Sequence, residues 1–215
     1  QWLFAYEKIV VLKCLPYGKK KVWRAALSEF LAMALLIFVS SAGAITCLQA
    51  GFTSSTSAIA LVQFICLSFF ILAAAPASGG HLNPAISLAT MLTGFSSPVR
   101  SVLYIIAQTG GAAVGSLALK VVVAEEVAEM YSLGGCTLKA TVLSDGELVE
   151  AGIEAGPALL AEFVLTLTVL YFAFSIALDP KQFQVRCIIY NFSVFLKHLH
   201  LPHIHAYCTC TIANV

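Results

Sequence analysis

Residues 78–94 read S-G-G-H-L-N-P-A-I-S-L-A-T-M-L-T-G, and they interrupt a stretch of chain that belongs in lipid. No Asp, Glu, Lys or Arg occurs in the 70 residues between Glu29 and Arg100. Two glycines, a His, an Asn and a Pro nevertheless sit together inside that stretch, just ahead of a short apolar run. Backbone that is not helical is tolerated at membrane depth only where protein buries it or a water-filled cavity borders it. The spacing predicts an extended strand over Ser78–His81, then a half-length helix beginning at Pro84. Asn83 is suited to cap that helix, and Pro84 to occupy its first turn, where the missing N–H is not needed. The helix N-terminus would carry about half a positive charge to the middle of the bilayer.

Working outward, the whole composition agrees with a membrane setting. Hydrophobic residues form 60% of the 215 and charged residues 11%, with a mean hydropathy of +0.91. A soluble domain has about 25% charged residues. Runs with no more than one charge predict spans at 25–47, 57–77, 102–123 and 156–178, each long enough for the ~20 residues that cross a bilayer. Lys120 lies near the end of the third, where it can snorkel to the interface. The chain opens on Gln1, so a natural N-terminus is expected upstream, and no cleavable signal peptide is read.

Charge placement orients these spans. Lys8, Lys13, Lys19, Lys20, Lys21 and Arg24 precede the first, which assigns residues 1–24 to the cytoplasm. Residues 124–155 hold seven acids and only Lys139, and read as an outer loop. An odd number of crossings must lie between the two, so 78–94 is re-entrant rather than a span. A polar strand followed by a positive helix end suits a pore that passes neutral molecules and repels cations. In it the Asn83 amide donates and the Gly79 and Gly80 carbonyls accept.

S-G-G-H-L-N-P-A resembles the first signature of the aquaporin, or major intrinsic protein, family. Other positions are similar. Glu29 in L-S-E-F and Glu162 in L-A-E-F resemble the family's paired glutamates, which accept hydrogen bonds from its re-entrant loops. Ala107-Gln108-Thr109-Gly110-Gly111-Ala112 resembles its third-span pattern, and Gly111 and Gly115 form a small-x-x-x-small face for helix packing, with Gln108 beside it. Leu133-Gly134-Gly135-Cys136 resembles the outer loop of the plant X intrinsic proteins, a subfamily associated with glycerol, urea, hydrogen peroxide and boric acid. Cys136, if outside, sits where it can pair across subunits.

The resemblance covers about residues 23–182 and implies an all-α polytopic protein, an aquaporin-like right-handed helical bundle with an inverted repeat. The first repeat (25–123) and the first span of the second (156–182) are the parts in view. It implies passive transport of water or small neutral solutes, a plasma-membrane location and a tetramer, of this chain alone or with related channels. Asn83, Pro84, Ala85, His81, Gly79 and Gly80 would line the pore. The family's spacing adds Gln63, or its neighbours Val62 or Phe64, from the second span. No enzyme activity, cofactor, resident metal or nucleic-acid partner is implied, and no nucleophile–base pair or phosphate loop occurs in the spans.

The remaining segment fits less well. Glu162 follows Glu29 by 133 residues, and at that offset a second Asn-Pro-Ala falls at position 216, one beyond the last residue. The apolar run from Cys187 to Leu196 is too short to cross a bilayer. Residues 183–215 are therefore expected to be atypical and the channel truncated, which raises two alternatives. One is a non-conducting subunit that joins intact channels. The other is a metal-binding membrane protein using His198, His200, His203, His205, Cys208 and Cys210, although their spacing matches no standard site.

Overall fold

A computed structural model describes residues 19–51, 55–135, 139–144, 147–152 and 154–177. Four long helices carry the fold: α1 (Lys19–Gln49), α2 (Ser55–Ser78), α4 (Pro98–Val122) and α6 (Ala155–Ala177). Between α2 and α4 lies the short α3 (Pro84–Leu92), and after α4 come α5 (Glu125–Met130) and a single 3-10 turn (Ser132–Gly134). The four long helices contain apolar spans of 28, 22, 25 and 20 residues, enough to cross the bilayer, and α3 at nine residues is not.

Their surfaces are reversed relative to a soluble bundle. Leu27, Leu31, Leu35 and Val39 recur every fourth residue of α1 and are all exposed, an apolar stripe on the outside of the described bundle. Several hydroxyls in the spans are satisfied by their own helix, although Ser101 Oγ is buried on α4 with no partner. Thr46, Ser68, Thr109 and Thr168 each donate to the carbonyl four residues back, at 2.7–2.9 Å.

The core forms where α1 crosses α4 and α2. Met33, Leu36 and Ile37 of α1 pack with Leu67 and Ala74 of α2, Ala112 of α4, Val169 of α6, and Leu82 from the loop between α2 and α3. Gly111 and Gly115 set the α1–α4 separation. A Cβ on Gly111 would run into the Phe30 carbonyl oxygen, and one on Gly115 into that of Ala34. The small-x-x-x-small face thus meets backbone, which lets two spans approach as no larger residue would permit.

Two expectations need correcting. Ser78–His81 is not an extended strand: Ser78 ends α2, and φ is +101° at Gly79, +66° at Gly80 and +42° at Leu82. The chain reverses through left-handed backbone instead. Gly80 has to be glycine on two counts, since a Cβ there would also come within 2.8 Å of the Ile71 carbonyl oxygen. Segment 124–155 is also not a plain loop. Besides α5 it holds an antiparallel hairpin, β1 (Lys139–Ser144) with β2 (Glu147–Gly152), in register from Lys139 opposite Gly152 to Ser144 opposite Glu147.

Candidate functional site, a re-entrant hairpin tied to a buried carboxylate

The hairpin is built from its turn upward. Asn83 has extended backbone, and its Oδ1 accepts from the Ala85 N–H at 2.7 Å, so the side chain caps α3 while Pro84 takes the first helical position. With Oδ1 committed to the cap, the Nδ2 end of the amide is the donor end. Asn83 and Pro84 are buried, and Ala85 is half-buried.

What holds the reversal is Glu29, fully buried in α1. Its Oε1 accepts from the Ser78 hydroxyl at 2.5 Å and from the His81 N–H at 3.0 Å. Oε2 accepts from the Leu82 N–H at 2.7 Å and from Gln108 Nε2 at 2.8 Å. A carboxylate offers about four lone-pair sites, and here four neutral donors fill them. That satisfies a charge which would otherwise be costly inside a membrane. The two left-handed glycines matter here, because they turn the His81 and Leu82 N–H groups back toward α1.

A second layer surrounds this knot. Gln108 and Ser87 are hydrogen-bonded at 3.1 Å, and Ser87 Oγ lies 3.1 Å from His81 Nδ1. The His81 ring meets Tyr104 edge to face, with centroids 5.2 Å apart. The Ser78 carbonyl accepts from both Tyr104 Oη and Arg100 Nη2, each at 2.7 Å. Arg100 also donates to Tyr104 Oη, from Nε at 3.0 Å and Nη2 at 2.7 Å.

Set against known proteins, residues 17–209 match the family model described as major intrinsic protein. The chain belongs to the major intrinsic protein family. The match runs through residues 183–209, which the sequence pattern had set apart. Among curated relatives of this major intrinsic protein, aquaporin PIP2-7 of Musa acuminata is 30% identical over 200 residues, 86% of this chain and 66% of that one. Aquaporin TIP1-2 of Zea mays is 31% identical over 74% of this chain and 58% of its own length. Aquaporin-1 of Sus scrofa is 35% identical over 72% and 56%. The chain thus spans between about half and two thirds of the length of these relatives. Its fold matches the X-ray structure of the aquaglyceroporin from Plasmodium falciparum with a TM-score of 0.65 at 17% identity, covering 90% of this chain and 86% of that one.

The structure brings Glu29, Gly79, Gly80, His81, Asn83, Pro84 and Gln108 of this major intrinsic protein into one region. Gln108 is more than a packing residue, since it links α4 to both Glu29 and Ser87. Gln63 is buried in α2, and Glu162 lies half-buried on α6. Cys136 and the His/Cys segment 198–210 lie outside the described residues. Among the described residues no group of three His, Cys, Asp or Glu side chains is placed to hold a metal.

The side-chain roles of Ser78, Ser87, Tyr104 and Arg100 were not read from sequence. Ser78 and Ser87 do lie at spacings of three and six residues about His81, a signal that a hydroxyl near non-helical backbone could have given.

Proposed function

We propose that this chain supplies the first half of a membrane channel for water or small neutral solutes. In it the Asn83 amide and the carbonyls of Gly79 and Gly80 take up the solute in turn. The observation that carries the reading is the capped half-helix, α3, held inside the bundle by a carboxylate whose acceptor sites the hairpin and α4 fill. Such a helix end lets a neutral dipole pass and opposes a cation. Glu162 is assigned the matching anchor for a second hairpin, and Gln63 a place on the wall of the path. The L-G-G-C loop supports an X intrinsic-type identity, with the acidic segment outside, residues 1–24 cytoplasmic and the plasma membrane as location.

The test is solute flux into proteoliposomes by stopped-flow light scattering. Asn83→Asp keeps a residue able to cap α3 but replaces the amide donor with a charge, and flux should fall at least tenfold. Flux equal to the parent's would remove the hairpin from the path.

A second reading is a non-conducting subunit that joins related channels in a tetramer. Co-purification with a full-length relative, together with no flux from the chain alone, would favour it.

A further inference from the structure

We propose that Arg100 and Tyr104 are positioning residues for the conduction path, an inference that rests on the channel reading. Together they fill both lone pairs of the Ser78 carbonyl, so the solute-facing carbonyls are those beyond Ser78. Three observations support this. A carbonyl oxygen has two acceptor sites, and here two donors lie at 2.7 Å, one of them cationic. Arg100 bonds Tyr104 Oη as well as Ser78, and its guanidinium carbon sits 5.1 Å from the Tyr104 ring centroid, so the two side chains act as one clamp. Lastly, Ser78 joins the two sides of the site. Its hydroxyl reaches the anionic Glu29 from α1, while its carbonyl is held by the cationic Arg100 from α4. The α2 terminus is therefore fixed from both flanks, and the left-handed turn begins at a defined point.

The clamp predicts coupling, because either donor alone still holds the carbonyl. The test uses the full chain in phosphatidylcholine nanodiscs and compares the parent with Arg100→Met, Tyr104→Phe and the double variant. Arg100→Met keeps much of the stem and Tyr104→Phe keeps the ring against Ala25 and Ala26. Amide exchange in a peptide covering 79–87 should speed up by no more than about 1.5-fold in each single variant and at least about tenfold in the double, with α1 peptides unchanged. Arg100→Lys, which can still donate once, should behave like the parent to within about twofold. Flux in liposomes should fall in the same non-additive order.

A double variant equal to the product of the singles overturns the clamp. So does faster exchange spread evenly over α1 and α4, the mark of general loosening. If the parent carries no solute, the channel reading fails, and the exchange pattern alone then decides whether the two side chains hold Ser78 jointly.

Discussion

Replacing Glu29 tests the site most directly, and its cost can be built donor by donor. In Glu29→Leu the volume is nearly kept but nothing accepts. Ser78 can redirect its hydroxyl to the Ala74 carbonyl, already 3.1 Å away. Gln108 retains Ser87 at 3.1 Å. The His81 and Leu82 N–H groups have no such alternative and become buried, unpaired donors at about 1–3 kcal/mol each. The expected loss is therefore about 4 kcal/mol, close to a thousandfold in the unfolding constant. Glu29→Gln separates charge from geometry. Its remaining oxygen can serve Leu82 and Gln108, while its NH2 can donate to Ser78, which leaves only the His81 N–H opposed. That variant should lose about 2 kcal/mol. Equilibrium unfolding of the full chain in mixed detergent micelles, followed by circular dichroism, measures both. A Glu29→Leu variant within about 1 kcal/mol of the parent, or a Gln variant as damaged as the Leu variant, would refute this accounting.

Two glycine contrasts follow. Gly115→Ala forces a methyl against the Ala34 carbonyl and should cost about 1–3 kcal/mol, read as a lower melting temperature in detergent. Gly80→Ala and Gly94→Ala both place alanine at positive φ, +66° and +77°, but only Gly80 has a neighbour in the way. Gly94→Ala should therefore lose only about 1 kcal/mol, and Gly80→Ala clearly more in the same melt.

The spans were readable because lipid imposes length and removes charge, and the 70-residue gap left no other solution. Asn83-Pro84 announced a helix start for a local reason, a capping side chain beside a residue without an N–H. What stayed hidden depends on direction in space. Glycines report that unusual φ is allowed, not whether it is extended or left-handed, and at Gly79 and Gly80 the need to aim two N–H groups at Glu29 decided it. Tyr104 and Arg100 sit four apart on a span, with no local pattern that sets them apart. Only the end of α2 arriving beside them gives them a carbonyl to hold. The β1–β2 hairpin did have a local signal, Asp145-Gly146 between two β-prone runs. The acids of 124–155 carry no information about that strand pairing.

The same buried carboxylate also sets a timetable for biogenesis. Glu29 enters the membrane with the first span, yet Leu82 is made 53 residues later and Gln108 79 residues later. At about 5–20 residues per second, the ribosome needs roughly 4–16 s to deliver that last donor. Until then α1 holds an acid without the groups that will receive it, in a position where insertion of a lone acid costs about 3 kcal/mol. The apolar residues of the first span have to offset that cost alone until the hairpin and α4 bring the donors.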